Sequence, residues 1–336
     1  METTLRPLTL GEILDRTAEL YRSNFLLFAG ISSVYGSILL MLSLLQIGAQ
    51  QGALAMHMKT GVIVVSVIGL VILWLAIFVA GGVAMAANTR AVGWVHLGEH
   101  ATIGAAYRAI LPRTGRYLWL MTITYFRAWF PCVLVYGAYA AVILVYIRPT
   151  GFLTPRSAPP DSKTMIVFLA SSVIFLFLLA GSLVYGIIMS LRYSLAVPAS
   201  TVENLKARDA IRRSIQLSKG SRGRIFMLGL LALIIHLGLT GITQGFFLVV
   251  GIKHHGVLPV WMSVVQQFLA FLTNTFVQPI YATGFTLFYY DQRVRKEGYD
   301  IERMMHSAGM TEPQPALDSD SSMNQAIALE RGSGHE

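Results

Sequence analysis

Arg6-Pro7-Leu8-Thr9-Leu10-Gly11-Glu12-Ile13-Leu14-Asp15-Arg16 runs on through Tyr21-Arg22-Ser23-Asn24-Phe25 into a long apolar stretch. Thr9 and Glu12 stand at the spacing of a capping box, in which the threonine oxygen accepts from the first helical turn and the glutamate reaches back to the cap. Beyond it Leu10, Ile13, Leu14, Thr17 and Tyr21 fall on one helical face, with Arg16 and Arg22 at its edge. This pattern predicts a short amphipathic helix in the headgroup layer, its cations facing anionic lipid, leading directly into a membrane span.

The same arrangement returns twice. Near residues 102–117, Ile103, Ala106, Tyr107, Ile110 and Leu111 share a face, Arg108 stands beside them and Pro112 stops the helix. Near residues 206–225, Ala207, Ala210, Ile211, Ser214, Ile215 and Leu217 line up next to Lys206, Arg208, Arg212 and Arg213, and Lys219-Gly220 closes the segment. Each copy precedes two apolar runs and a polar break. The expected fold is therefore all-α: a polytopic integral membrane protein with six transmembrane helices in three hairpins, each introduced by an amphipathic interfacial helix.

Composition agrees. With 54% hydrophobic and only 13% charged residues, the chain is too apolar for an ordinary soluble domain. Crossing about 30 Å of hydrocarbon takes roughly 20 apolar residues, and six segments qualify. They lie at about 25–47, 62–87, 117–147, 165–191, 225–252 and 257–290, within a membrane domain covering 1–304. The third is overlong and carries Pro131, so a tilt or kink is expected there. The N-terminus shows no signal-peptide pattern, since Glu12, Asp15 and Glu19 interrupt it, and insertion is expected to use the first span.

The net charge of +9 does not point to nucleic acid, because the basic residues sit between apolar runs rather than on one soluble module. Counted segment by segment, twenty lysines and arginines fall on one side of the membrane against five on the other: Lys59, Arg148, Arg156, Lys163 and Lys253. The positive-inside rule then places both termini in the cytoplasm. Residues 305–336 are rich in Ser, Pro and acidic side chains and read as a disordered cytoplasmic tail.

Four stretches carry a family resemblance. They are residues 6–16, Arg192-Tyr193-Ser194-Leu195-Ala196-Val197-Pro198, Arg212-Arg213-Ser214 with Lys219-Gly220, and Tyr289-Tyr290-Asp291-Gln292-Arg293-Val294-Arg295-Lys296-Glu297-Gly298-Tyr299-Asp300. Together they resemble the membrane domain attached to some bacterial glycerophosphoryl diester phosphodiesterases, and free-standing relatives of it, over nearly all of residues 6–302. In that family, phosphodiester hydrolysis belongs to a separate soluble barrel that uses clustered carboxylates and histidines with a metal. No segment of this chain has room for such a barrel, so the resemblance implies a membrane module and not an enzyme.

The residues themselves offer little chemistry. Cys132 stands alone in an apolar run, and His57, His254 and His255 lack ligand spacing, so neither a metal nor a cofactor is expected. Arg127 and His236 are the ionisable groups inside spans. Arg127 is a snorkelling interfacial residue or part of an anion site, and no carboxylate stands in a span to partner His236. Gln244, Gln266, Gln267, Asn274 and Gln278 form a polar series in the last hairpin, suited to interhelical hydrogen bonding or to a polar path.

Three functions remain. The first is a non-catalytic protein that organises anionic lipid or a membrane or cytoplasmic protein partner through Arg16, Arg22, Arg108, Arg208, Arg212, Arg213, Arg293, Arg295 and Lys296. The second is a small transporter or lipid-handling protein with a path through Arg127, His236, Gln267, Asn274 and Gln278. An intramembrane enzyme comes last, for want of paired acid and base groups.

Overall fold

The computed structural model describes residues 7–56, 59–144, 162–253 and 259–299, together with 301 and 305. The histidines at 57, 254 and 255, and the tail expected beyond residue 305, lie outside the described residues. Among the described residues all regular structure is helical. The helices are α1 (Leu10–Ser23), α2 (Phe25–Ala55), α3 (Lys59–His96), α4 (Ile103–Ile110), α5 (Thr114–Val142), α6 (Ser162–Tyr193), α7 (Ala196–Val202), α8 (Ala207–Ser218), α9 (Arg222–Lys253) and α10 (Val260–Glu297). A 3₁₀ turn at Leu111–Arg113 joins α4 to α5.

The six long helices α2, α3, α5, α6, α9 and α10 are each apolar and long enough to cross a membrane. Their outward faces present large hydrophobic side chains, among them Trp74, Phe177, Ile242 and Phe246. Water would penalise such a surface heavily, whereas hydrocarbon accepts it at no cost. The protein is a multi-pass integral membrane protein.

The spans extend further than apolar runs alone suggest, because the polar residues at their ends find partners. Helix α2 continues through Gln50, whose Nε2 donates to Ser66 Oγ of α3 at 3.0 Å. Helix α3 continues past residue 87 through Asn88, which donates to Ser32 Oγ at 3.0 Å, and Arg90, which donates to the Thr201 carbonyl at 3.0 Å. Helix α5 runs through Pro131 without ending.

Helices α2 and α3 pack together, as do α5 and α6, and α9 and α10. Helix α10 nevertheless lies more extensively along α2 than along its chain neighbour α9, and it also packs on α3. The last helix is therefore the central strut of an α2/α3/α10 group rather than half of a separate hairpin. Between α5 and α6 the close approach depends on Gly186: a Cβ there would lie 3.2 Å from the Ala128 carbonyl oxygen and from the Trp129 ring. Gly186→Leu is expected to cost about 1–3 kcal/mol, the usual range for overpacking, read as a lower melting temperature in detergent. An unchanged melting temperature would show that the two helices separate without penalty.

The short helices gather at one end of the bundle, the capped end, where α2, α5 and α9 begin and α3, α6 and α10 finish. Thr9 Oγ1 accepts from Glu12 N–H at 3.3 Å and Glu12 Oε2 accepts from Thr9 N–H at 2.7 Å, so α1 starts on the capping box. The apolar faces of these helices differ from the expectation of burial in the headgroup layer. Ile13 and Leu20 of α1, Ala106 and Ile110 of α4, and Ala210, Ile211 and Leu217 of α8 are buried in one shared protein core with Phe28, Ile31, Leu120 and Phe288. Full burial of an Ile or Leu side chain contributes about 2 kcal/mol against water; most of this face is spent on folding, while Ile103 and Leu111 at the ends of α4 stay exposed beside the outer, cation-bearing side.

Helix α7 has no counterpart among the expected elements. Ala196, Pro198, Ala199, Ser200 and Thr201 are all buried in it, wedged between α3, α5, α8 and α10.

Candidate functional site

At the capped end α7, α8 and α10 hold a charged cluster. Glu203, just after α7, receives Arg213 Nε of α8 at 2.9 Å and 3.0 Å on its two oxygens, and also the Tyr289 hydroxyl of α10. Arg213 reaches Glu297 of α10 with its other arm, at 2.5 Å. Arg293 closes the ring, with Nε 3.2 Å from Glu297 and 3.7 Å from Glu203 and its guanidinium over the Tyr299 ring at 4.0 Å. Burial alone would lower the Arg213 guanidinium, but its hydrogen bonds to Glu297 and Glu203 outweigh that and hold it above its ordinary value.

A second cluster fastens the start of the chain. Asp291 of α10 has a fully buried carboxylate that accepts from Leu8 N–H at 2.8 Å, from Arg295 Nε at 3.0 Å, from Gln292 Nε2 at 3.0 Å and from Arg224 Nη1 of α9 at 3.3 Å. The Leu8 carbonyl in turn accepts from Arg224 Nη2 at 2.7 Å and from Arg295. Lys296 completes the arrangement by donating to the carbonyls of Gln216, Leu217 and Lys219 at 3.1, 2.8 and 2.7 Å. That is the C-terminal cap of α8, where a cation complements the exposed carbonyls.

Of the nine cations expected at a lipid surface, Arg213, Arg293, Arg295 and Lys296 therefore hold helices together. Arg16 is bridged to Glu19 at 2.7 Å on the surface. Arg22, Arg108, Arg208 and Arg212 are exposed and have no ion pair or hydrogen bond among the described residues. Arg208 and Arg212 are one turn apart on the outer side of α8, opposite the buried Ala210 and Leu217.

Glu203, Asp291 and Glu297 are the acidic partners that a count of cations overlooks. Two of them carried a signal: Asp291 with Arg295 and Arg293 with Glu297 stand at the i,i+4 spacing that pairs charges on a helix. Nothing local announces Glu203, which meets α10 only through the fold.

No hydrogen bond joins the intramembrane residues to one another. Arg127, His236, Gln267, Asn274 and Gln278 lie on α5, α9 and α10, and among the described residues none bonds to another of the five. Gln278 Nε2 lies 3.4 Å from the Gly81 carbonyl of α3, and Gln266 donates to Gln244 at 2.6 Å between α10 and α9. Arg127 is exposed on the outer wall of α5. Between α1, α9 and α10 there is a cavity of about 30 Å³ lined by Leu14, Leu228, Ala232, Ile235 and Ile280. Its apolar walls and its small size suit no polar substrate. No group of three or more His, Cys, Asp or Glu able to hold a metal occurs among the described residues.

No curated protein and no solved structure matches the chain. Residues 164–325 match the family described as the membrane domain of glycerophosphoryl diester phosphodiesterase, a stretch that begins in α6 and includes α7, α8, α9, α10 and every acidic residue of the two clusters. With its spanning helices and the charged clusters that fasten them, this stretch of the chain is similar to the membrane domain of glycerophosphoryl diester phosphodiesterase.

Proposed function

We propose that the protein is a non-catalytic component of the bacterial inner membrane, with both termini in the cytoplasm, that organises anionic lipid or a partner protein at the cytoplasmic face. The observation that carries this reading is the division of labour on α8. Its inward arginine, Arg213, is spent on Glu203 and Glu297, while Arg208 and Arg212 project from the opposite side with no partner among the described residues. Arg108 on α4 and Arg22 on α1 add exposed cations at the same end. A non-catalytic role is supported by the way the ionisable groups at this end are consumed: each carboxylate of the clusters is saturated by arginines that are themselves fixed between helices. A catalytic acid or base needs a free proton position beside a substrate. The excess of cations on this side supports a cytoplasmic placement.

The test is native mass spectrometry of the protein released from membranes containing phosphatidylglycerol and phosphatidylethanolamine. A basic residue near an anionic surface contributes about 1 kcal/mol, so Arg208→Gln with Arg212→Gln is expected to lower retention of phosphatidylglycerol by roughly thirtyfold while phosphatidylethanolamine is unaffected. Undiminished phosphatidylglycerol with loss of a co-purifying protein would transfer the role to a protein partner. No change in either would refute the reading.

A further inference from the structure

Arg127 stands apart from every other cation of the spanning helices. The rest lie within the first or last few turns of their helices, whereas Arg127 is deep in α5, exposed, and without a hydrogen bond or ion pair among the described residues. Its depth can be placed. Fifteen residues separate it from the far end of α5 at Val142, which at about 1.5 Å per residue is roughly 23 Å. With Val142 set at the far edge of a hydrocarbon layer of about 30 Å, its Cα stands roughly 7 Å below the headgroups at the capped end, and Arg116 and Trp119 lie above it in the interface. Helical side chains lean toward the N-terminus, which in α5 is the capped end, so the arginine stem covers that distance and brings the guanidinium to the level of lipid phosphate.

The surroundings fit an amphiphile. Phe126 and Phe130 flank Arg127 on the outer wall, exposed by 59% and 39%, with ring centroids 4.5 Å apart. Trp119, two turns nearer the capped end, is also outward-facing at 57% exposure, as expected of an interfacial aromatic. The six spanning helices contain only two carboxylates, Asp291 and Glu297, both in the last two turns of α10 and both already paired. At the level the guanidinium reaches, every phospholipid of the bilayer offers a phosphate as counter-ion.

We infer that the outer wall of α5 is a discrete phospholipid site, in which Arg127 binds the phosphate of a lipid in the leaflet at the capped end while Phe126 and Phe130 support its glycerol and upper acyl chains. The site is separate from the outer face of α8 and does not depend on the function proposed for it. Recognition is of the phosphodiester itself, so zwitterionic and anionic phospholipids are both bound, in contrast to a surface that reads net charge.

The experiment reads lipids retained by the detergent-purified full chain in native mass spectrometry, with added phosphatidylethanolamine and, in parallel, diacylglycerol, which has the same chains and no phosphate. The parent protein is expected to keep one more phosphatidylethanolamine than Arg127→Gln, with diacylglycerol bound equally weakly by both and Arg127→Lys intermediate. The R208Q/R212Q protein should retain this lipid, which separates failure of this site from failure of the α8 face. Phosphatidylethanolamine retention that is equal in the parent and Arg127→Gln proteins would overturn the assignment, as would retention of diacylglycerol as strong as that of phosphatidylethanolamine. Inorganic phosphate at millimolar concentration should not displace the lipid; displacement would mean that the aromatic wall contributes nothing and would refute the site as drawn.

Discussion

Replacing Asp291 with alanine is expected to lower the stability of the protein by about 3–5 kcal/mol, the range found when one member of a buried ion pair is removed. The carboxylate is fully buried and gathers donors from three separate parts of the chain: Leu8 before α1, Arg224 at the start of α9, and Arg295 with Gln292 on α10. Alanine would leave two guanidinium groups and a main-chain N–H facing a void. Leu8 would keep its carbonyl bonds to Arg224 and Arg295, but those arginines would lose the charge that positions them. The first consequence is release of α1, which packs on α10 just beyond this anchor. Hydrogen exchange should report it as fast exchange across residues 8–20 and slow exchange retained in α5 and α6, which supply none of the bonds to Asp291. Asp291→Asn keeps the shape and part of the hydrogen bonding, and should fall between the parent and alanine. If Asp291→Ala melts with the parent protein and α1 remains protected, the N-terminal anchor is held by apolar packing alone.

The parts of this architecture that were legible in the sequence are those governed by local periodicity and length. Six apolar segments and a capping box at Thr9 and Glu12 depend on spacings within one helix, and they appear at those positions in the structure. The extensions of α2 and α3 were not legible, because Gln50 and Asn88 read as polar terminators until Ser66 and Ser32 on a neighbouring helix satisfy them. Helix α7 escaped for a related reason. Its Ala-Val-Pro-Ala-Ser-Thr-Val sequence has neither the length of a span nor the charge alternation of a surface helix, and it is helical because four other helices enclose it.

The candidate site divides along the same line. Exposed arginines on one face of α8 follow from a helical wheel. Which arginines remain exposed does not, since Arg212 and Arg213 are adjacent in sequence and differ only in that Glu203 and Glu297 come from elsewhere in the fold to meet the second. The acidic partners are few, and each saturates more than one cation. A ledger of charges by side of the membrane therefore does not report which cations are left free to bind.

The Glu203–Arg213 pair allows that division to be tested directly. Glu203→Gln alone should cost about 2–3 kcal/mol, below the usual range for breaking a fully buried pair, because the side chains retain 18% and 23% exposure and Arg213 keeps Glu297. Arg213→Gln alone should cost a similar amount, leaving Glu203 with Arg293 and the Tyr289 hydroxyl. Since each loss includes the penalty of stranding the other partner, the double variant should cost clearly less than the two combined, with a coupling of about 1–2 kcal/mol in a double-mutant cycle of melting in detergent. Lipid retention adds a readout that a purely local ion pair would not move. Arg213 is turned toward Glu203 and Glu297, and those bonds are expected to set the rotation of α8 and so the direction of Arg208 and Arg212. Phosphatidylglycerol retention should fall in each single variant and recover in part in the double, where the two introduced amides can bond to one another without a stranded charge. Strict additivity in melting would remove the coupling between α7 and α8. Unchanged lipid retention in all three variants would mean that the outer face of α8 keeps its direction through the burial of Ile211 and Leu217 alone.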